Sequence, residues 1–372
     1  MSRLRIGIIG CGAIAQIQYL PLLREMAGEF AIAGLSDLSA DVLARLGDVY
    51  GVSPDRRFQD YHDLVASDVE AVVVCNSGSH APPSIAAAEA GKHVLVEKPI
   101  CTTPGEAEAM VAAADGAGVT MMVAYMKRHD PAFRYAQARV REMTAPRFAQ
   151  VNHLHPDNSL HLAEFNLVRA RDLSPSLRSE MEAAYDQAVS SLLGYPTPAD
   201  MPADVKQAFF WVHNSMIHDL GNLHGLFGPP EAVVSTEVWA DGAGITTTLA
   251  YPGGLRAVCT WVDLPVLPAF EETLAVYGSR ERVIVSFPTG FSKGMPSIVT
   301  IQGMEPDQPP WRKELSWHDN PFALELRHLK HCVETGARPL TDGRDAVADI
   351  ALVRDILRAY IDPSSSAGGQ RR

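Results

Sequence analysis

The sequence lacks two features that define large classes of protein, a long apolar run and closely spaced cysteines. No stretch supplies the roughly 20 continuous apolar residues of a membrane span. The first residues, MSRLRIGIIG, lead into a glycine-rich turn without the separate apolar region of a signal peptide. The scattered cysteines form no C-x-x-C pair, unlike a disulfide framework or a zinc site; they are Cys11, Cys75, Cys101, Cys259 and Cys332. These absences favour a cytoplasmic protein without a membrane partner.

Positive charge is also scarce. The formal net charge is -12, and no run rich in lysine or arginine offsets it locally, so phosphate backbones would be repelled and we expect no nucleic-acid partner. Apolar residues make up 47% of the chain and charged residues 20%, which is the balance of a globular protein. The 372 residues are enough for two domains.

The first third of the chain alternates apolar runs with helical patterns. The runs LRIGIIG, FAIAGLSD, AVVVCN, HVLVEKP and TMMVAYM are apolar on both faces, as in strands of a parallel sheet covered by helices. Alanine-rich segments such as PGEAEAMVAAADGAG lie between them and end in glycine, which is typical of a helix and its C-cap. This βαβ series predicts an α/β fold with a doubly wound domain over 1–124.

The pattern changes after residue 147. Runs such as RFAQVNHLHP, GITTTLAYPGG and RVIVSFPTG predict strands joined by short turns, and therefore a mainly antiparallel sheet in a second, α+β domain over 125–362. A helix-prone stretch, 159–228, interrupts these strands, and two helical segments close the domain. The last residues, 363–372, are expected to be a disordered tail.

A dinucleotide-binding motif stands at the start. GIIGCGAIA places Gly10, Gly12 and Ala15 in the pattern G-x-G-x-x-A after a strand and at the start of a helix, with Ala13 and Ile14 inside the turn. The first glycine permits a tight turn, the second lets the backbone approach a pyrophosphate, and the helix N-terminus faces the anion. An ordinary glycine turn is the alternative.

Asp37 ends the second strand-like run. A carboxylate there can accept hydrogen bonds from the ribose hydroxyls of adenosine and repel a 2′-phosphate, and Leu38 and Ser39 follow instead of a basic residue. We therefore expect NAD as the cofactor, with NADP less favoured. The alternative is that Asp37 simply caps a helix.

Several motifs together resemble the Gfo/Idh/MocA family, named after glucose-fructose oxidoreductase and inositol dehydrogenase. They are GCGAIA, CNSGSHAPPSIAAAEAGKHVLVEKP with its E-K-P strand end, AYMKRHDPAFRYA, LAVYGSRERVIVSFP and ELRHLKHCVETGARPLTDGRDA. The resemblance covers nearly the whole chain. It implies a Rossmann domain followed by a domain whose large open sheet lines the substrate pocket, a carbohydrate or polyol substrate, and a homo-oligomer, dimer or tetramer.

The resemblance also implies roles for single residues. Lys98 of E-K-P would reach both the nicotinamide ribose and the reacting oxygen, where an ammonium can stabilise a developing alkoxide. Arg128 would lie near the nicotinamide, and further cofactor-lining residues would be Asn76, Ser77, His80 and Glu97. The alternatives are a surface lysine before a turn for Lys98, a helix cap for His80 and a structural ion pair for Arg128.

The stretch WVHNSMIHDLGNLHGLFG, 211–228, carries three histidines on a predicted helix. His213 and His224 lie about 16 Å apart along an ideal helix, and His213 and His218 diverge in direction, so we expect no metal site. Asn214 and His218 share a face with two glycines, Gly221 and Gly225, which leave room beside the imidazole. Close helix packing over glycine is the alternative.

The family resemblance gives this face a function. Related inositol dehydrogenases carry D-x-x-x-H here, so His218 would be the general base, with a pKa suited to neutral pH. Asn214 replaces the carboxylate; it can orient the imidazole but cannot stabilise an imidazolium by charge. Asp219 is no obvious substitute, because its side chain starts about 100° around an ideal helix.

The sequence thus predicts an NAD-dependent oxidoreductase that interconverts a secondary alcohol and a ketone on a sugar, glycoside or cyclic polyol. Besides Lys98, Asn214 and His218, candidate substrate contacts are Trp211, His155 and Asn158, each of which has a structural alternative. Two other functions stay open: a redox-assisted glycoside lyase or hydrolase, and a dinucleotide-binding sensor without turnover.

Overall fold

The computed structural model describes residues 2–291 and 294–365, which form two compact units. Unit 1 consists of Met1–Tyr125, Phe165–Val189 and Glu325–Ile350, and unit 2 of Met126–Glu164, Ser190–Leu324 and Ala351–Arg372. The domains predicted over 1–124 and 125–362 are contiguous, whereas each unit is assembled from three segments. Two segments of the predicted second domain therefore group with the N-terminal sheet.

Unit 1 is built on a six-stranded parallel sheet. Its strands are β1 (Leu4–Ile9), β2 (Phe30–Ser36), β3 (Arg57–Phe58), β4 (Ala71–Val74), β5 (His93–Glu97) and β6 (Met121–Ala124). They lie in the order β3-β2-β1-β4-β5-β6, and β4, which reads AVVV, is buried along its whole length. The order reverses between β1 and β4, and sheets of this type leave a ligand-binding crevice at the carboxyl ends of such strands. The predicted doubly wound fold is confirmed.

Unit 2 is built on an eight-stranded sheet. Its strands are β7 (Phe148–His155), β8 (Ala232–Trp239), β9 (Gly244–Ala250), β10 (Arg256–Asp263), β11 (Glu271–Tyr277), β12 (Glu281–Phe287), β13 (Ser297–Gly303) and β14 (Trp311–Trp317). They lie in the order β14-β13-β12-β11-β7-β10-β9-β8, antiparallel except for β7 and β10. Ala149, Val151 and His153 alternate along β7 as buried residues, so one face of the sheet is covered. The predicted mainly antiparallel sheet is confirmed.

Helices connect and cover these strands. They are α1 (Leu20–Glu25), α2 (Ala40–Tyr50), α3 (Tyr61–Ala66), α4 (Ala81–Glu89), α5 (Pro104–Ala117), α6 (Pro131–Glu142), α7 (Asn158–Leu162), α8 (Pro175–Leu193), α9 (Ala203–Trp211), α10 (Ile217–Phe227), α11 (Pro321–Thr335) and α12 (Gly343–Ile361). Two π-helical turns, Ala15–Tyr19 and Val212–Met216, run directly into α1 and α10. Among the described residues, no helix is long and apolar enough to cross a membrane.

Local sequence explains where individual helices begin. Thr103 and Glu106 form a capping box at α5: the Thr103 hydroxyl accepts from the Glu106 amide at 3.3 Å, and the Glu106 carboxylate accepts from the Thr103 amide at 2.9 Å. Pro104 occupies the first helical position, where its missing N–H costs no hydrogen bond. The start of α5 is therefore fixed within four residues.

A distant segment completes unit 1. Thr341, between α11 and α12, accepts from the Val123 amide through its carbonyl at 2.8 Å and donates its hydroxyl to the Val123 carbonyl at 2.7 Å. These bonds fasten the segment to the edge strand β6, which explains why 325–350 groups with the N-terminal sheet. Of the predicted tail 363–372, Pro363–Ser365 form a 3₁₀ turn, and the rest lies outside the described residues.

Candidate functional site

The predicted site residues fall in both units. In unit 1 the dinucleotide motif forms the turn between β1 and the first helical turn. Gly10 has a φ of 88°, and a Cβ on it would lie 2.3 Å from the Asn76 Cα, so only glycine fits. A Cβ on Gly12 would meet nothing within 4 Å. The first glycine is thus required by the fold, whereas the second faces open space that a pyrophosphate can approach.

The carboxyl end of β4 supplies polar groups beside this turn. The side-chain Nδ2 of Asn76 donates to the carbonyls of Ser77 and Ser79, at 2.9 and 3.2 Å. The Oδ1 atom of Asn76 is buried without a partner among the described residues. His80 occupies the N-cap position of α4, but its side chain makes no capping hydrogen bond, because its ring faces the carbonyls of Pro99 at 2.8 Å and Asn76 at 3.0 Å. The helix-cap alternative for His80 is therefore correct in position but not in the role of its side chain. Burial lowers its imidazole pKa, so the ring is neutral and donates to one carbonyl.

Asp37 follows β2, as predicted, and its carboxylate is engaged on both oxygens. Oδ2 accepts from the Cys11 amide at 2.8 Å, inside the glycine turn, and Oδ1 accepts from the Ser39 amide at 2.9 Å. The N-cap of α2 is Ser39, whose hydroxyl accepts from the Val42 amide at 3.1 Å, so the cap alternative for Asp37 is wrong. The carboxylate is held rigidly beside the turn, where its remaining lone pairs can accept hydrogen bonds from ribose hydroxyls.

Lys98 directly follows β5 and is half-buried, and the Lys98–Pro99 peptide is cis. The neighbouring Glu97 is 7% exposed and accepts from the Tyr19 hydroxyl at 2.7 Å and the Lys98 amide at 3.1 Å. Burial raises the pKa of Glu97, and Lys98 is the main group opposing that rise. The Glu97 carboxyl therefore fixes the backbone of Lys98 and ties it to the first helical turn.

In unit 2 the histidine-rich helix contains a π-helical turn that the sequence analysis missed. It spans Val212–Met216, ends two residues before His218, and adds a residue to the turn. The Asn214 side chain donates to the Phe210 carbonyl at 2.9 Å. His213 is buried and stacks on Phe209 with ring centroids 5.2 Å apart, consistent with a packing residue. His218 is half-buried in the first turn of α10.

The space over Gly225 is filled. A Cβ there would lie 2.8 Å from the Arg128 guanidinium and 3.1 Å from the Phe133 ring. Gly225 therefore lets a buried arginine pack against α10, and its supposed role of leaving room beside the His218 imidazole is wrong. Arg128 is 7% exposed and belongs to unit 2, in the 3₁₀ turn Met126–His129 before α6.

A buried charged cluster lies between α10 and the sheet, and it consists of Lys127, His153, Asp219 and Glu272. The His153 Nδ1 atom lies 2.7 Å from Asp219 and 3.9 Å from Glu272, and Lys127 donates to Glu272. Burial raises the pKa of Asp219 to about 7 and also raises that of Glu272, while the Lys127 ammonium opposes both shifts. Glu272 is thus paired with the Lys127 ammonium, as a buried charge requires, whereas the raised pKa of Asp219 favours its neutral form below about pH 7.

This cluster also has the donor set of a metal site. Ligand atoms of His153, Asp219 and Glu272 lie within 4.8 Å of one another. The Lys127 ammonium already contacts Glu272, however, and supplies the positive charge that an ion would bring. The cluster is therefore read as an ion-pair network, and the expectation that the protein binds no metal stays a prediction.

The network continues to a predicted substrate residue. The His153 Nε2 atom lies 3.2 Å from His155 Nδ1, and the His155 ring stacks on Trp261 at 5.6 Å. Trp211 stacks on Trp261 with ring centroids 4.6 Å apart, and the Trp211 Nε1 atom is buried without a partner among the described residues. Asn158 begins α7, three residues beyond the end of β7. The structure thus brings His155 and Trp211 together around Trp261.

Sequence reasoning missed three members of the charged cluster: Lys127, His153 and Glu272. One signal was present, because the alternation along β7 places His153 on the same face as Ala149 and Val151. Its acidic partner was not visible, since the register that sets Glu272 of β11 opposite His153 depends on a strand more than 100 residues away.

Known proteins resemble the chain in two ways. A sequence model of the oxidoreductase family, NAD-binding Rossmann fold (GFO_IDH_MocA), matches residues 4–125. Inositol 2-dehydrogenase from Paracoccus denitrificans is 35% identical over 159 residues, which are 41% of this chain and 46% of that protein. The chain thus matches less than half the length of this relative.

Solved structures resemble the whole fold. The aldose-aldose oxidoreductase from Caulobacter crescentus, complexed with glycerol, has a TM-score of 0.73 at 20% identity, covering 97% of this chain and 98% of that chain. A 3-ketoreductase from Actinomadura kijaniata, in complex with TDP-benzene and NADP, has a TM-score of 0.69 at 21% identity, covering 95% and 97%. With the glycine turn, Asp37 and the E-K-P strand end in place, residues 4–125 are similar to the NAD-binding Rossmann domain of the Gfo/Idh/MocA oxidoreductase family.

Proposed function

We propose that the protein is an NAD-dependent oxidoreductase that interconverts a secondary alcohol and a ketone on a sugar, glycoside or cyclic polyol. The observation that carries this proposal is the rigid turn in which Gly10 packs on Asn76 and Asp37 accepts from the Cys11 amide. The inositol 2-dehydrogenase and 3-ketoreductase among its relatives act, by their names, on this kind of group. NADP in one neighbour leaves the choice of cofactor to be tested.

Different residues of unit 1 would hold different parts of the cofactor. The amides of the Gly10–Ala15 turn and the helix that follows would face the pyrophosphate, and Asp37, which is held by the Cys11 amide, would accept hydrogen bonds from the adenosine ribose hydroxyls. The buried Oδ1 of Asn76 has no partner among the described residues and would accept from the nicotinamide half. When bound, NAD accepts or donates a hydride at the nicotinamide.

The remaining chemistry is proton movement on the substrate oxygen. We assign to His218 the transfer of the hydroxyl proton, and to the ammonium of Lys98 the stabilisation of the alkoxide that develops during hydride transfer. Asn214 is anchored by its bond to the Phe210 carbonyl, so its amide oxygen has a fixed direction from which it can orient an imidazole. The aromatic group around Trp261, with His155 and Trp211, offers flat faces and a polar edge that suit a sugar or polyol ring.

The test is a panel of sugars, inositols and glycosides assayed with NAD and with NADP, in the parent protein and in Lys98→Ala and His218→Ala. We expect stoichiometric NADH release with at least one polyol or sugar, and a fall in kcat of about 100-fold or more in each variant. Lys313→Ala, on an exposed position of β14, and His224→Ala, on the same helix as His218, are the matched controls.

The outcomes separate the rival functions. Full activity in either variant would refute the role of that residue. Bond cleavage in a glycoside without net NADH release would favour a redox-assisted lyase or hydrolase. Tight NAD binding with no turnover across the panel would favour a sensor.

A further inference from the structure

A segment from the middle of the chain lies over the dinucleotide turn of unit 1. Residues 165–174, here called the strap, contain no helix or strand and lead into α8. Gln16, directly after the G-x-G-x-x-A motif, donates to the Val168 carbonyl at 2.9 Å and accepts from the Val168 amide at 2.8 Å. The same Gln16 amide group donates to the Cys11 carbonyl at 2.8 Å. One side chain therefore fastens the strap to the cofactor turn.

The strap reaches the start of α2 through Asp172. One carboxylate oxygen of Asp172 accepts from the Ser39 hydroxyl, and the other accepts from the Asp41 amide at 3.1 Å. The Ser39 hydroxyl bond is the main cause that lowers the pKa of Asp172, so the residue is anionic at neutral pH. A negative charge thus occupies the N-terminus of an 11-residue helix.

Helix α8, which follows the strap, approaches the other half of the sheet. A Cβ on Gly78, in the loop after β4, would lie 2.9 Å from the Met181 Cε of α8. The strap therefore reaches the β2 side, at Ser39, and α8, which follows it, reaches the β4 side, at Gly78. These are the two sides of the switch point between β1 and β4, outside which dinucleotides bind in such sheets.

We propose that Asp172 is a second specificity-determining carboxylate that, with Asp37, selects NAD over NADP. A phosphate on the 2′-oxygen would meet Asp37 and, behind it, the donors that commonly bind such an anion, the Ser39 hydroxyl and the Asp41 amide. Asp172 already occupies both donors and adds a like charge. NADP binding requires the strap to withdraw, whereas a ribose hydroxyl needs only Asp37.

The strap also carries two basic residues, Arg169 and Arg171, which are both exposed. A strap that turned an arginine toward α2 would bind a 2′-phosphate. In this structure the strap instead presents Asp172 to α2. Gln16 fixes the strap in this position by hydrogen bonds to both the carbonyl and the amide of Val168. Gln16 is therefore the positioning residue for Asp172.

This inference rests on the dinucleotide site of the proposed function and not on the proposed reaction, so its test is direct binding. Calorimetry on the full chain measures the Kd of NAD and of NADP for the parent, Asp172→Asn and Asp172→Ala. Asparagine removes the charge and keeps an acceptor, while alanine frees both donors. We expect the NADP-to-NAD ratio of Kd to fall about tenfold in Asp172→Ala and less in Asp172→Asn, with NAD affinity little changed.

Three further variants sharpen the result. Gln16→Ala should also lower the NADP-to-NAD ratio of Kd. Gln16→Ala combined with Asp172→Ala should lower this ratio no further than Asp172→Ala alone. The effect of Asp172→Asn should shrink at high salt, as expected for an exposed charge. Glu182→Gln, an exposed position on α8, is the charge-matched control.

Each contrary outcome has a distinct meaning. An unchanged ratio in Asp172→Ala, with normal NAD binding, would overturn this inference alone. Loss of NADP affinity in Arg171→Ala would also overturn it, since the strap would then supply a phosphate ligand. Binding of neither nucleotide to the parent would overturn both this inference and the proposed function.

Discussion

At the scale of single residues, Asp219 combines full burial with a hydrogen bond to a histidine. It is 2% exposed, lies 2.7 Å from His153 and shares its surroundings with Glu272 and Lys127. Two carboxyls, one ammonium and one imidazole cannot all hold their solution protonation states in such a space. The pKa of about 7 for Asp219, caused mainly by burial, is the clearest consequence.

This pKa predicts how stability depends on pH. In the folded state Asp219 keeps its proton up to about pH 7, whereas in the unfolded chain an aspartate loses it near its ordinary pKa of about 3.9. The folded state therefore holds the extra proton between those values, and the stability that Asp219 contributes falls as the pH rises through this window. Asp219→Asn keeps an acceptor for His153 but does not titrate. As the pH rises from 5 to 8, the unfolding free energy of this variant should increase by about 2 kcal/mol relative to that of the parent.

Urea unfolding at several pH values measures that difference. Asp241→Asn, an exposed aspartate of the same unit, is the control. A constant difference between Asp219→Asn and the parent over the whole range would show that the carboxyl is already ionised in the folded state at pH 5.

Single residues were predictable from sequence where their partners are local. Gly10, Gly12 and Asp37 lie within one βαβ unit, so the spacing of the motif fixes their geometry. The partners of Asp219 come from β7, β11 and the 3₁₀ turn before α6. No local pattern links such positions, and the strap contact between Asp172 and Ser39, 133 residues apart, has the same cause.

At the scale of elements, the π-helical turn is the main departure from prediction. An ideal helix over 211–228 gives Asn214 and His218 one shared face, but a π turn changes the direction of every side chain that follows it. The Phe210 carbonyl, which precedes this turn, accepts a hydrogen bond from the Asn214 side chain at 2.9 Å. This provides a physical reason for an amide where the family resemblance implies an acid, because a carboxylate has no N–H to donate.

Asn214→Asp tests this explanation. If restoring the family carboxylate were enough, the variant would be as stable as the parent and more active. We expect instead a loss of about 1 kcal/mol, since the aspartate removes the bond to the Phe210 carbonyl and places an acceptor against an acceptor. Asn214→Ala should lose a similar amount.

Chemical denaturation with an unchanged m-value is the measurement. A stable Asn214→Asp variant with raised kcat/KM would show that a carboxylate serves catalysis better at this position and that the π turn does not depend on the amide.

Regular elements themselves were largely predictable, because strands and helices of unit 1 follow from apolar runs and caps such as Thr103. The parallel pairing of β7 with β10 was not, since the chain between them contains helices and two further strands. Pairing of strands so far apart depends on how the whole sheet closes, which periodicity does not encode.

At the scale of the whole molecule, cofactor binding and folding are linked through two glycines of the same turn. Any ligand that binds only the folded state stabilises it, by about 2.7 kcal/mol when its concentration is 100 times its Kd. For a unit of this size that corresponds to a rise in Tm of about 5–10 °C. NAD should therefore raise the Tm of the parent protein, and the size of the rise reports binding without any assumption about the substrate.

The two glycines should separate binding from folding. A Cβ on Gly12 meets no protein atom within 4 Å, so Gly12→Ala should keep the Tm of the parent without cofactor and lose most of the rise with NAD. A Cβ on Gly10 would overlap the Asn76 backbone at a φ of 88°, so Gly10→Ala should lower the Tm even without cofactor. Differential scanning calorimetry with and without NAD distinguishes the two. A full NAD-induced rise in Gly12→Ala would mean that the dinucleotide does not approach this turn, and the proposed function would lose its structural basis.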